Sequence, residues 1–159
     1  MSGDRQTAAR VWQGIRALVL DAHDRRKEVC EALGMSFVRA KALRRLVRGP
    51  LTLRDLAEHL ATDAPYTSVV VADLERRGMV ERATHPGDRR AKIVTITPAG
   101  AEAAALAERI LGEPPDPLLS LDAGDLAALD RIVAAIHREG EAGAQDRPAG
   151  VTAGAGRES

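Results

Sequence analysis

Apolar positions in this 159-residue chain recur every three to four residues along most of its length, with one stretch that alternates instead. Residues 7–33 place Val11, Ile15, Leu18, Ala22, Val29 and Leu33 on one stripe, with Arg16, Asp21, Asp24 and Arg25 off it. That spacing predicts one long amphipathic helix, closed by Gly34. Ser36 reads as the cap of a second helix through Phe37, Ala40, Leu43 and Val47, stopped by Gly49-Pro50. Thr52-Leu53-Arg54-Asp55 has capping-box form and opens a short helix with Leu53, Leu56, Ala57 and Leu60 inward. After Ala61-Thr62, the Asp63 carboxylate can accept from the free N–H groups of a new first turn. Thr67, Val70, Val71 and Leu74 then form an apolar face, and Gly78 suits the left-handed position past a helix end. Residues 79–83 and 93–97 alternate like two strands, with a turn-rich loop at 84–90 between them. Pro98, behind Thr97, opens an alanine-rich helix over 99–111 with Ala103, Leu106, Ala107 and Ile110 inward. The proline-rich run from Glu113 to Pro117 breaks it. Asp122 caps a last helix that presents Leu126, Leu129, Ile132, Val133 and Ile136 on one face and ends at Gly140.

Two short helices joined by a tight turn, then strand, basic loop and strand, is the order of a winged helix-turn-helix. Its second helix enters the major groove of DNA. The expected fold is mainly α with a small antiparallel β wing, flanked by N- and C-terminal dimerisation helices. The expected division is an N-terminal dimerisation helix at 1–35, the winged unit at 36–98, and C-terminal dimerisation helices at 99–139. The remainder, 140–159, lacks apolar anchors and is expected to be a disordered tail.

Charge sharpens this picture. The net charge is zero, but residues 36–98 hold twelve Lys/Arg and seven Asp/Glu, so +5. Residues 99–159 hold five and eleven, so −6, and residues 1–35 hold six and five, so +1. A basic centre between neutral and acidic ends fits a protein that meets a polyanion with its middle. Trp12, Phe37 and Tyr66 are the only aromatic residues, so the core must be aliphatic, and Trp12 is expected to pack. No apolar run is long enough to span a bilayer, and the first residues lack a signal peptide's apolar stretch. The expectation is a cytoplasmic protein with no membrane partner.

Other chemistry finds little support. Cys30 is the lone cysteine, which leaves no intrachain disulfide and no multi-cysteine metal site. Arg26 and Lys27 lie about one turn before it, so oxidation sensing through Cys30 stays open as an alternative. His23, His59, His85 and His137 are scattered, and no nucleophile elbow, P-loop or dinucleotide fingerprint occurs. The expectation is no metal, no cofactor and no enzyme activity.

The run LERRGMVER at 74–82, the run PGDRRAK at 86–92 and the Thr-x-Thr-Pro-x-Gly that follows are specific in combination. From the Ser36 helix to about Glu102 the chain resembles the multiple-antibiotic-resistance regulator (MarR) family of transcription factors. The resemblance implies a dimer, a helical protein with a small winged sheet, and a small-molecule response. The expectation is a transcriptional regulator, a repressor rather than an activator by choice and not by any residue, released from a pseudo-palindromic operator by its effector. A winged-helix protein-interaction module without DNA binding is the alternative from another class.

The candidate DNA-binding residues are Arg54, Pro65, Tyr66, Thr67, Ser68, Val69, Arg76, Arg77, Asp88, Arg89, Arg90 and Lys92. An arginine in a narrow minor groove gains from the negative potential there, and an aspartate two residues earlier can accept from its guanidinium and fix its aim. Asp88 and Arg90 have that spacing, and in the family such a pair does that work. Arg89 and Lys92 are expected nearer phosphates, and His85 toward phosphate or water. Many relatives place polar or basic residues where this chain has Val69, Ala72 and Asp73. For Val69, a thymine methyl is a natural partner, whereas Thr67 also fits the apolar face and can turn inward. The Val11/Ile15/Leu18 stripe and the Leu126/Leu129/Ile132/Val133/Ile136 face are the candidate dimer surfaces. The effector is expected to be apolar or aromatic, in a crevice bordered by the first, second and alanine-rich helices.

Overall fold

The structure, a computed structural model, describes residues 2–145, with side chains over 3–140. It is mainly helical with a small antiparallel sheet, as the sequence led us to expect, and the sheet has a third strand beside the two expected ones. The elements are α1 (Ser2–Arg16), a π-helical stretch (Ala17–Ala22), α2 (Arg26–Leu33), α3 (Phe37–Leu46), β1 (Leu51–Thr52), α4 (Leu53–Leu60) and α5 (Ala64–Arg76). They continue with β2 (Val80–His85), β3 (Asp88–Ile96), α6 (Pro98–Gly112), α7 (Asp116–Leu119) and α8 (Ala123–Gln145). The chain forms two compact units, Met1–Glu113 and Pro114–Ser159.

In the first unit the apolar faces of α3, α4, α5 and α6 meet over the sheet. Leu43, Leu46, Leu56, Val70, Val71, Leu74, Val80 and Val94 are buried in one cluster. Burying each such side chain is worth about 1.5–3 kcal/mol, so this aliphatic core supplies what the missing aromatics do not. A smaller cluster joins Val29 of α2, Ala40 of α3 and Ala107 of α6, with Phe37 and Ile110 against it. The sheet order is β1-β3-β2. Val80 pairs with Ile96 and Arg82 with Val94, while the two-residue β1 sets Leu51 opposite Val94.

Several expectations need correction. The helix expected over 7–33 is broken: π-helical winding ends at His23, and Asp24 accepts from the Arg26 backbone N–H at 2.9 Å where α2 begins. An aspartate that can cap its own downstream turn competes with continuous helix. Val29 then joins the core, whereas Val11 and Ile15 stay exposed, so they do not share one stripe. Trp12, expected to pack, is 61% exposed. Ser36 holds the N-cap position of α3 as expected, but its hydroxyl makes no capping bond and instead accepts from the Arg39 guanidinium at 2.7 Å. Val47 lies beyond α3 and is exposed, and Leu46 takes the buried position. The wing strands reach further than expected, to His85 and back to Asp88, so most of the 84–90 loop is strand. In the second unit, the proline-rich break holds the short α7. Helix α8 starts behind Asp122, whose carboxylate accepts from the Gly124 and Asp125 N–H groups at 2.8 and 2.9 Å. It runs through Gly140 and Gly143 to Gln145, because each glycine costs an otherwise helical segment only about 1 kcal/mol. The rest of the expected tail, 146–159, lies outside the described residues.

The α6 start is built by contact. Thr97 caps the helix by accepting from the Gly100 N–H at 3.2 Å, and its hydroxyl donates to the Gly78 carbonyl at 2.7 Å. A Cβ at Gly100 would sit 2.1 Å from the Met79 carbonyl oxygen, so glycine is what lets α6 meet the start of β2. Among the described residues no helix is long and apolar enough to cross a membrane.

Candidate nucleic-acid interface

Helix α4 is held at its start by Thr52, which accepts from the Asp55 N–H at 3.1 Å and donates to the Asp55 carboxylate at 2.8 Å. Helix α5 is held by Asp63, which accepts from the Tyr66 N–H at 2.7 Å. Between them Ala61 takes the left-handed conformation at φ 54°, and this closes the helix-turn-helix corner. Thr67 locks that corner from inside. It is fully buried, donates to the Asp63 carbonyl at 2.8 Å and lies 2.8 Å from the Thr62 hydroxyl. Thr67 is thus a structural residue and is removed from the candidate base contacts. Pro65, Tyr66 and Val69 are exposed on α5, and Ser68 and Ala72 are half-buried.

The start of α4, the start of α5 and the wing border one cleft of about 520 Å³, lined by Thr52, Arg54, Asp55, Ala64, Arg90 and Lys92 among others. The fold thereby brings together candidate residues from three parts of the sequence. Arg54 is exposed beside Glu58 at 3.7 Å. Arg89 and Arg90 are exposed on β3. Asp88 does not hold the Arg90 guanidinium, as expected from the spacing, but accepts from the Arg90 backbone N–H at 2.9 Å. In a tight hairpin the backbone donor two residues on is nearer than the end of a long side chain. His85 turns into its own hairpin and accepts from the Gly87 N–H at 3.0 Å. Lys92 reaches across the wing to the Thr84 hydroxyl at 3.0 Å.

Arg76 and Arg77 are placed differently from the expectation. Both turn to Asp73, Arg77 at 2.9 Å, and Arg39 of α3 reaches the same carboxylate at 2.6 Å. Arg77 also donates to the Gly34 carbonyl at 3.1 Å. Asp73 is buried, so this residue of α5 faces the protein rather than a ligand. The signal was present: Asp73 lies three and four residues before two arginines, the spacing of helical ion pairs. A second tie joins α5 to the wing, where Arg82 donates to Glu75 at 2.5 and 2.9 Å. Those bonds hold the Glu75 carboxyl below its ordinary range. Near Cys30, which is half-buried, Arg26 is bound to Asp24 and Lys27 lies 3.7 Å from Glu31. Both cations invoked for a reactive thiol have carboxylate partners. No group of three or more metal-binding side chains comes together among the described residues.

Comparison with known proteins agrees with the geometry. Residues 33–91 match the model of the MarR family. No protein of curated function matches. Among solved structures, a MarR family protein from Bacillus stearothermophilus superposes with a TM-score of 0.72 at 19% identity, covering 85% of this chain and 96% of that one. The S. aureus MepR–DNA complex gives 0.52 at 18% identity, with 86% and 99% covered. NadR in complex with 4-hydroxyphenylacetate gives 0.57 at 20% identity, with 79% and 88% covered. At such identities these likenesses show the fold.

Proposed function

We propose, from the premise that residues 33–91 form a MarR-family winged helix, that this protein is a dimeric, sequence-specific DNA-binding transcriptional repressor released by a small molecule. The observation that carries the reading is the convergence of Arg54, Arg90 and Lys92 around the exposed start of α5. A recognition helix entering the major groove leaves the wing beside the adjacent minor groove, where an arginine gains most. MepR, of the same fold, was solved on DNA, and NadR with a small aromatic acid; both support the reading by analogy. The DNA-facing set becomes Arg54, Pro65, Tyr66, Ser68, Val69, Arg89, Arg90 and Lys92, with Asp88 shaping the turn.

The exposed apolar faces support the dimer. Val11 and Ile15 are 54% and 40% exposed in the first unit, and Ile132 and Ile136 are 50% and 58% exposed in the second. Apolar faces this wide are covered in a working protein, and a second copy is the partner an isologous dimer supplies.

The test is duplex binding to an operator selected from random sequence by the protein itself. Log affinity should fall linearly with log salt as phosphate counterions are released. Arg90→Ala should weaken binding by about 1–3 kcal/mol while the far-ultraviolet spectrum stays unchanged. Equal affinity of Arg90→Ala and wild type would remove the wing from the interface.

A further inference from the structure

Helix α3 carries a feature that DNA reading does not use. Lys41, Arg44 and Arg45 are spaced i, i+3 and i+4 and leave one side of the helix, and Arg48 joins them from the turn that follows it. His59 of α4 and Glu108 of α6 stand against that side, and these six residues with Leu60 line an open cavity of about 190 Å³. Its charges do not balance. Glu108 is taken by Arg44 at 2.5 Å, and among the described ion pairs Lys41, Arg45 and Arg48 have no carboxylate. Arg45 Nη2 instead lies 2.9 Å from His59 Nε2. A guanidinium has donors and no acceptor, so the imidazole accepts. An arginine bonded to an imidazole, within a concave set of cations that lack counter-charge, has donors to spare for an oxyanion.

The geometry points to a binding site for a small, multiply charged oxyanion, a phosphate or polycarboxylate, in this cavity between α3, α4 and α6. The cations set the class. Arginine forks match carboxylate and phosphate oxygens in pairs, a recognition that lysine alone does not give. The cavity shares no lining residue with the cleft at the starts of α4 and α5, so the phosphates met there are not its ligand. An anion here would bridge α3 to α4, the first helix of the helix-turn-helix. The inference goes beyond the DNA-binding reading and does not depend on it.

The experiment uses the full chain without DNA, titrated with inorganic phosphate and with citrate at an ionic strength fixed by sodium chloride. Calorimetry and heteronuclear NMR are read together. Saturable binding is expected, with shifts centred on the His59 ring and the Arg45 and Arg48 amides. Arg48→Ala, at an exposed position, should weaken it about tenfold or more, as loss of one charge-assisted hydrogen bond does. Lys92→Ala in the wing should leave it unchanged. A non-saturating response, shifts centred on the wing, or equal binding by wild type and Arg48→Ala would overturn the site. So would an Arg48→Ala protein that binds both anions normally but loses duplex affinity, since the cations would then serve the DNA backbone.

Discussion

Val69 is 59% exposed on α5, while Thr67, two residues earlier, is wholly buried. The pair fixes the rotation of the helix: the Thr67 side faces the core and the Val69 side faces out. An exposed valine on a groove-facing helix gains most from a thymine methyl. Replacing that thymine by uracil should weaken wild-type binding and leave Val69→Ala nearly indifferent, as measured by competition between the two duplexes. Equal responses from both proteins would assign Val69 no contact. At this scale the sequence was partly legible. Asp63, Thr52 and Thr97 precede helices in extended conformations and cap them, and Asp122 bonds the first turn of α8; the caps at Asp63, Thr52 and Asp122 were visible as residue types in place. Thr67 was ambiguous because threonine suits both a buried hydroxyl and a base edge. The Asp88 bond was misassigned because spacing alone does not distinguish the backbone N–H of Arg90 from its guanidinium.

Among elements, amphipathic helices were the most readable, since α4, α5 and α6 bury the faces their spacing marks. The break at His23–Arg25 was missed because apolar periodicity carries across it by chance, whereas Asp24 acts locally. Strand β1 was missed because two residues cannot display a period; only the partner strand β3 defines it. The tie between α3 and α5 through Asp73 is a burial effect. Asp73→Asn would leave Arg39, Arg76 and Arg77 around a neutral amide. Breaking a fully buried pair costs about 3–5 kcal/mol; these arginines are partly solvated, so a loss of about 2–3 kcal/mol in chemical unfolding is expected. Acid should loosen other element ends. Asp24 is lowered to about 2 by its bonds to Arg26, and Asp122 is lowered by the backbone N–H groups of Asp125 and Gly124. With Glu75 they bind protons less readily in the folded chain than in the unfolded one. Their contribution is complete above the ordinary carboxylate range of about 4 and is lost as pH falls through the lowered values. The melting temperature should be level from about pH 5 to 7 and fall below about pH 4.

For the whole molecule, the exposed apolar faces of α1 and α8 matter most. In the proposed function two recognition helices stand about 34 Å apart to read a pseudo-palindrome, so that reading requires a dimer. Leu129→Glu combined with Ile132→Glu should give monomers or unfolded chains by sedimentation and abolish operator binding, although the wing is untouched. A folded monomer of this variant that binds a full operator at wild-type affinity would refute the dimer mechanism. The faces were legible as patterns in the sequence, since wide apolar stripes at helical spacing identify themselves. Periodicity does not encode what covers them.

The inward anchoring of α5 separates two jobs that share one helix. Asp73 and Thr67 fix its seat from the core side, while Tyr66, Ser68, Val69 and Ala72 occupy the other side without taking part in that anchoring. The outer positions can therefore vary without moving the scaffold. In the proposed function α5 is thus an exchangeable reading cassette: a lineage, or an engineer, could rewrite the preferred operator through those four positions while inheriting the same docking frame.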